Sequence, residues 1–178
     1  MNALRFMKSL GFLSPRQRLE WYPSFWLMRV KVLELADDWS FIRLRLPLTA
    51  FSRNMGDSMF GGYQAAVADP IAALACAKRF PGFDVWTRAM SIDFVAVGNS
   101  DLEMRFEFDL AIDAKIRHDL AARGRSTPIF EYAFYRVDGK CCSHISNTVA
   151  IRPEGYKPRN LSVNSVSYDT SGKSPEEL

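Results

Sequence analysis

The sequence predicts an α+β fold in which a largely antiparallel sheet wraps around one long, buried helix. The helix is predicted from residues 59–80, an alanine-rich and almost wholly apolar segment that a single proline interrupts. Strands are predicted on both sides of it, where apolar and polar residues alternate and turn residues separate the runs. Because one sheet must cover this helix and hairpins join its strands, the sheet is expected to be mainly antiparallel.

Two strands are predicted before the helix and one directly after it. Residues 39–46 alternate apolar and polar positions, and residues 28–35 precede them, with Asp37 and Asp38 in the turn. A Pro-Gly pair ends the helix, and residues 84–95 then return as a strand.

Three further strands and a short helix complete the predicted domain. Residues 102–110 have the most regular alternation, which predicts one buried face and one exposed face. Asp113 is predicted to cap a short helix that Gly124 ends. Residues 129–137 and 141–151 follow as a hairpin, because the Asp-Gly pair between them favours a tight turn.

The chain divides into three predicted regions. Residues 1–27 are predicted to be an amphipathic helical extension, because spaced apolar residues lie among basic ones and no cleavage site follows. We expect this extension to pack across the domain or a dimer, and contact with a membrane surface is the alternative. Residues 28–153 form the sheet-and-helix domain, and residues 154–178 a polar, mobile tail. No segment is long enough to span a bilayer.

Composition is that of an ordinary soluble domain. Of 178 residues, 48% are hydrophobic and 24% are charged, which suffices for a real core. The net charge of +3 is small and the basic residues are scattered. Nucleic acid is therefore not an expected partner, whereas acidic small molecules stay compatible.

Cysteine and histidine usage gives no disulfide or metal signal. The three cysteines, Cys76, Cys141 and Cys142, are odd in number and two are adjacent, so we expect no disulfide framework and a cytoplasmic location. His118 and His144 are the only histidines, and no metal-ligand spacing is present. No metal site is predicted.

The loop that opens the long helix carries the first candidate site residues. Asn54 lies in this loop, and the segment Phe60-Gly61-Gly62 follows it. A Gly pair lets a ligand approach closely, and the unpaired N–H groups of a helix N-terminus attract an oxygen that is becoming negative. The Gly61 N–H is therefore predicted to hold an acyl oxyanion. The alternative is that the glycines only let the helix cross a strand closely.

Asp69 is the second candidate, because it is a charged residue inside an otherwise apolar helix. It is predicted to be a general base that activates water, or a nucleophile. The alternative is that it caps a second helical half that begins at Pro70. Since eight residues of helix span about 12 Å, Gly61 and Asp69 of one chain cannot reach the same atom. A shared site therefore needs two chains.

These residues resemble the hotdog-fold thioesterases of the phenylacetate-degradation type, and more closely the DUF4442 group of uncharacterised hotdog proteins. The resemblance rests on Asn54, on the Phe-Gly-Gly segment that starts at Phe60 and on the Asp-Pro pair at Asp69, and it covers residues 28–151. One position departs from the pattern, since the better-known relatives have histidine where this chain has Phe60.

The resemblance implies hydrolysis of an acyl thioester, expected to be acyl-CoA, with coenzyme A as part of the substrate and no other cofactor. It implies that Asn54 and Thr87 position the water or the thioester. The alternative for Asn54 is a turn residue, and Ser91 is the alternative to Thr87. A homodimer or a dimer of dimers is expected, with antiparallel central helices. An apolar acyl slot is also expected, and the predicted substrate contacts are Met59, Phe60, Gly62 and Ser91.

Other functions are considered beside this one. A non-catalytic acyl-CoA-binding protein would share the fold and the slot. A hotdog dehydratase expects a catalytic histidine beside the acid, and neither His118 nor His144 lies in that neighbourhood. Ser58 approaches a Gly-x-Ser-x-Gly elbow but lacks the last glycine, so it is predicted to be the N-cap of the long helix instead.

Overall fold

The elements of the computed structural model follow the predicted order. The structure describes residues 13–156, so the predictions for residues 1–12 and 157–178 lie outside the described residues. The helices and strands, in chain order, are α1 (Pro15–Glu20), α2 (Pro23–Leu27), β1 (Lys31–Leu35), β2 (Phe41–Leu46), α3 (Gly61–Arg79), β3 (Phe83–Phe94), β4 (Leu102–Glu107), α4 (Leu110–Arg123), β5 (Ile129–Arg136) and β6 (Cys141–Pro153).

The six strands form one sheet in the order β1-β2-β4-β5-β6-β3, and every neighbouring pair is antiparallel. α3 packs on one face of this sheet, mainly against β3 and β6. The α+β architecture predicted from the alternating segments and the apolar helix is confirmed. Within residues 13–156, no helix has the length and apolar composition needed to cross a bilayer.

The centre of the sheet shows why alternation predicted it well. The inward-facing residues of β2 and β4 are fully buried and lie opposite each other, as the pairs Ile42–Phe106, Leu44–Met104 and Leu46–Leu102. Each such side chain contributes about 1.5–3 kcal/mol by leaving water, which fixes the register of these strands. On the outer face, Arg43 of β2 pairs with Glu103 of β4 at 2.7 Å.

The N-terminal part of the described chain packs on the domain. Ser14 and Gln17 form a capping box at the start of α1, and Leu19 and Phe25 are buried in the core. The described part of the predicted extension therefore contains two short helices.

The start of α4 differs from the prediction. β4 ends at Glu107, and Asp109 caps α4 by accepting hydrogen bonds from the N–H groups of Ala111 and Ile112 at 2.6 and 3.1 Å. The prediction that Asp113 caps this helix was wrong, and Leu110, predicted to lie on the buried face of β4, is 83% exposed. Asp109 is the cap because β4 ends just before it, so its side chain is the first that can accept hydrogen bonds from the unpaired N–H groups of the helix. Gly124 ends the helix with φ of 64°, as predicted.

Asp113 instead joins three elements through ion pairs. Its carboxylate accepts from Arg79 of α3 at 3.0 Å and from Arg117 of α4 at 2.6 Å, and Arg79 also pairs with Asp38 at 2.5 Å. Burial of Asp113 opposes its ionisation, but the hydrogen bonds from Arg117 and Arg79 outweigh it and lower the pKa of the carboxyl. The cluster fastens the C-terminal end of α3 to the β1–β2 loop and to α4.

Substituting Asp113→Asn is expected to lower the free energy of unfolding at pH 7 by about 2 kcal/mol, because Arg79 loses a partly buried charged partner. A carboxyl with a lowered folded pKa stabilises the fold above its unfolded pKa, and this contribution is lost as the pH falls through the folded value. The gap between wild type and variant should therefore narrow below about pH 4. Urea unfolding at several pH values measures both effects.

The matched control for this prediction is Asp37→Asn. Asp37 is exposed in the same neighbourhood, and the structure gives its side chain no partner among the described residues. This control should change stability by less than about 0.5 kcal/mol. A constant gap between wild type and Asp113→Asn across the acid range would contradict the assigned role of the carboxylate.

α3 is confirmed as a helix and runs through Pro70 without a break in its assignment. The predicted burial holds for one face of α3 in the single chain. Val67, Ile71 and Ala72 are among the residues it buries against the sheet, whereas Gly62 and Ala66 are exposed on the opposite face. An exposed face of small residues on a central helix leaves a surface that a second chain could cover.

Candidate active site

Asn54 fixes the loop that leads into α3. Its Oδ1 accepts hydrogen bonds from the N–H of Gly56 at 2.9 Å and from the N–H and hydroxyl of Ser58, both at 3.1 Å. The side-chain NH2 group has no acceptor among residues 13–156. Asn54 is therefore a turn residue through its oxygen, and its nitrogen is left to act only as a hydrogen-bond donor.

The N-terminus of α3 lacks a side-chain cap. The helix begins at Gly61, and Phe60 occupies the N-cap position, where it offers no acceptor. The prediction that Ser58 is the cap was wrong, because its hydroxyl donates to Asn54 instead. The described part of the chain provides no acceptor for the N–H groups of Gly61 and Gly62. These two donors are therefore available to a ligand.

A cavity of about 640 Å³ opens at this helix start. Four of the predicted site residues line it, namely Asn54, Met59, Phe60 and Gly61. A Cβ on residue 61 would lie 2.7 Å from Cζ of Phe94, so glycine lets the Phe94 ring cover the helix start. The size of the cavity suits a small-molecule ligand.

Gly62 contacts the same region through Phe60. A Cβ on residue 62 would lie 2.4 Å from Cε1 of the Phe60 ring. At both helix positions glycine leaves room for an aromatic ring, and a larger residue would displace that ring. These contacts are with the rings of two exposed phenylalanines and not with a strand backbone, so both interpretations of the Gly pair stay predictions.

Gln64 is a cavity residue that sequence reasoning missed. Its side chain is buried in the wall of the cavity, and its Oε1 accepts a hydrogen bond of 2.7 Å from the hydroxyl of Ser143, which is fully buried. The available signal was the one used for Asp69, a polar residue in an apolar helix. Gln64 was overlooked because an uncharged amide is a weaker signal than a carboxylate.

Asp69 lies away from this cavity, on the exposed face of α3. Its carboxylate has no hydrogen bond or ion pair to any described residue. The continuous helix and this unpartnered carboxylate do not support the alternative in which Asp69 caps a second helical half. Within one chain, the eight residues from Gly61 to Asp69 keep the two groups about 12 Å apart.

The structure brings Thr87 to Asp69. The hydroxyl of Thr87, on β3, donates to the main-chain oxygen of Asp69 at 2.7 Å. Since its hydrogen is used, Thr87 can only accept a hydrogen bond from a water molecule. Ser91 is exposed further along β3, and it neither lines the cavity nor hydrogen-bonds to a described residue.

The described histidine and cysteine residues belong neither to the cavity at the start of α3 nor to the contact between Asp69 and Thr87. His118 is exposed on α4, and Nε2 of His144 on β6 lies 3.5 Å from Sγ of Cys141. Burial raises the pKa of the Cys141 thiol, which works against a reactive thiolate. In residues 13–156, no cluster of His, Cys, Asp and Glu could hold a metal ion.

The arrangement thus consists of two half-sites at different positions along α3, with Asn54 of the preceding loop in the first and Thr87 of β3 in the second. The first half-site, formed by Asn54, Gly61 and the cavity, offers N–H donors and an apolar wall. The second, formed by Asp69 and Thr87, offers a carboxylate and a hydroxyl oxygen. Donors can stabilise a developing negative charge on oxygen, and a carboxylate can accept a proton from water.

No protein-family model matches the sequence, and no curated protein matches it either. Solved structures do resemble the fold. A Pseudomonas aeruginosa protein of unknown function, described as a probable thioesterase, superposes with a TM-score of 0.68 at 18% identity, and the match covers 78% of this chain and 93% of that one.

Two further structures give the same result. A thioesterase from Haemophilus influenzae superposes with a TM-score of 0.57 at 14% identity, covering 74% of this chain and 84% of its own. The PaaI protein of the E. coli phenylacetic acid degradation operon gives 0.54 at 17% identity, covering 83% and 91%. At these identities the likeness shows the fold, and the chain therefore has the hotdog fold, an antiparallel six-stranded sheet packed around a long helix.

Proposed function

We propose that the protein hydrolyses acyl thioesters, with acyl-CoA as the substrate, at sites that two chains form together. The observation that carries the proposal is the pair of half-sites on α3. One end of the helix presents free N–H donors to a cavity, and a carboxylate without a partner lies eight residues further on. The likeness to structures described as thioesterases supports the same chemistry.

In the proposed reaction, the thioester carbonyl oxygen accepts hydrogen bonds from the Gly61 N–H and the Asn54 side-chain NH2. Asp69 of the other chain takes a proton from water, whose oxygen attacks the carbonyl carbon. The negative charge that develops on the carbonyl oxygen is stabilised by these donors and by the positive end of the helix dipole. The C–S bond then breaks, the proton goes to the sulfur, and a carboxylic acid and free coenzyme A leave.

Two exposed surfaces support the proposed dimer. β3 lies at the edge of the sheet and pairs only with β6, so a strand of 12 residues has one unpaired edge. Such an edge is a ready template for pairing with another chain. The small-residue face of α3, with Gly62 and Ala66, lies beside it. A two-fold axis between antiparallel α3 helices would bring Gly61 of one chain near Asp69 of the other.

The walls of the cavity suggest an apolar acyl group. Phe60, Phe94 and Val97 line it and remain half-exposed in the single chain. Phe60, which stands where the better-known relatives have histidine, meets Tyr63 edge to face at 6.1 Å, so it supplies apolar contact rather than a proton. The closer kinship with the DUF4442 group, the cytoplasmic location and a dimer of dimers stay predictions.

The test is a panel of acyl-CoA thioesters with detection of the released thiol. We expect free coenzyme A and the carboxylic acid to form in equal amounts, faster for apolar acyl chains than for acetyl-CoA, because the cavity wall is apolar. Light scattering should show a dimer or a larger even assembly. Thermal stabilisation by acyl-CoA without any thiol release would instead favour the non-catalytic binding protein.

A further inference from the structure

Three side chains from neighbouring strands hold the main chain of α3 at Asp69. Tyr132 of β5 donates its hydroxyl to the main-chain oxygen of Ala68 at 2.8 Å. Asn147 of β6 donates from Nδ2 to the main-chain oxygen of Asp69 at 3.1 Å and to the Tyr132 hydroxyl at 2.9 Å. Thr87 of β3 donates to the same Asp69 oxygen. We call Thr87, Tyr132 and Asn147 the carbonyl clamp.

The donor directions in the carbonyl clamp are mutually consistent. Burial raises the pKa of Tyr132, so its hydroxyl stays protonated and gives its hydrogen to Ala68. The hydroxyl oxygen then accepts from Asn147, whose second Nδ2 hydrogen goes to Asp69. A flipped Asn147 amide would place an oxygen against two acceptors, so the contacts fix its orientation.

Stability alone does not explain this cluster. Oδ1 of Asn147 is buried without a hydrogen-bond partner, and it is the only such side-chain atom in the described part of the chain. An unpaired buried acceptor costs about 1–3 kcal/mol, and an apolar side chain of similar size would avoid that cost.

The carbonyl clamp controls the direction in which the Asp69 side chain leaves α3. The carbonyl groups of Ala68 and Asp69 belong to the two peptide planes on either side of the Asp69 Cα. Holding both planes sets the φ and ψ angles of Asp69, and these set the direction in which its side chain leaves the helix. The control is needed here because Pro70 has no N–H, so the helix lacks the hydrogen bond to the Ala66 carbonyl at this turn.

We propose that Tyr132 and Asn147 are positioning residues, which together with Thr87 aim the Asp69 carboxylate at the reacting water. This inference rests on the proposed function, since it gives a reason for holding that carboxylate in one place. Misplacing a catalytic group by about 1 Å can cost 100-fold in rate, so a partial release should cost less.

The test uses Tyr132→Phe and Asn147→Leu, which keep the packing volume and remove hydrogen bonds. We expect kcat for acyl-CoA hydrolysis to fall about tenfold in each, with KM changed less than twofold, because neither Tyr132 nor Asn147 lines the substrate cavity. Tyr135→Phe is the matched control. Tyr135 is also on β5, packs against Arg105 on the outer face, and has no hydroxyl hydrogen bond to a described residue.

A second readout separates this inference from the proposed function. The carboxyl ¹³C NMR signal of Asp69 should shift in Tyr132→Phe and stay in place in Tyr135→Phe. If wild type released no thiol, the proposed function would fail. The NMR comparison would still show whether Tyr132 holds the Asp69 carboxylate in place. An unmoved Asp69 signal, or a rate loss explained wholly by a smaller folded fraction, would overturn the inference.

Discussion

Substituting Asp69→Asn is expected to lower the turnover of acyl-CoA by roughly 100-fold or more, in line with removal of a general base. The change keeps the shape of the side chain and removes its ability to take a proton. The carboxylate is exposed and has no partner among the described residues, so stability should hardly change. Thiol release at saturating acyl-CoA, together with a thermal unfolding curve, measures both quantities.

The control for this prediction is Asp37→Asn, which removes a negative charge from the far β1–β2 loop. It should retain full activity. Turnover by Asp69→Asn equal to that of wild type would exclude Asp69 from the mechanism, and Asp69 would then be an exposed residue without a catalytic role.

The sheet could be predicted because its signal is local. Alternation in residues 39–46 and 102–107 reports directly which side chains face the helix, and burial then fixes the register. Helix starts were harder, since Asp109 and Asp113 stand four residues apart and both suit an N-cap. The start of α3 at Gly61 depends on contacts from distant segments, such as the hydrogen bond from the Met59 N–H to the Gly98 oxygen.

Some residues of the candidate site could likewise be predicted from local sequence, and others depend on contacts between distant segments. Asn54, Gly61 and Asp69 could be selected because glycines and a lone charge stand out in an apolar segment. Tyr132 and Asn147 could not, because a tyrosine and an asparagine are ordinary in strands. Their role depends on which strands lie beneath α3 and on the register of each strand with its neighbours. A local sequence pattern predicts neither.

A second large effect is expected for Asn54→Asp, with kcat/KM for acyl-CoA reduced by about 100-fold or more. The carboxylate can still accept the hydrogen bonds that Gly56 and Ser58 donate, so the loop should persist. The donor toward the substrate is lost, and a negative charge faces the oxygen that becomes negative in the transition state. Asn54→Ala would be less informative, since it also removes the acceptor that holds the loop. An Asn54→Asp variant with wild-type kcat/KM would exclude Asn54 from the oxyanion site.

Combining the two inactive variants in one dimer tests whether the site is shared. When Asp69→Asn and Asn54→Asp chains carry different tags and are co-purified as mixed dimers, one of the two sites receives an intact Asn54 from one chain and an intact Asp69 from the other. Such dimers should regain about half of the wild-type activity, because a two-fold dimer holds two equivalent sites. If each chain used its own Asn54 and Asp69, every site would contain a defect, and the mixed dimer would be as inactive as its parents. Asn54 lines the same cavity as Gly61, and the roughly 12 Å from Gly61 to Asp69 within one chain favours recovery.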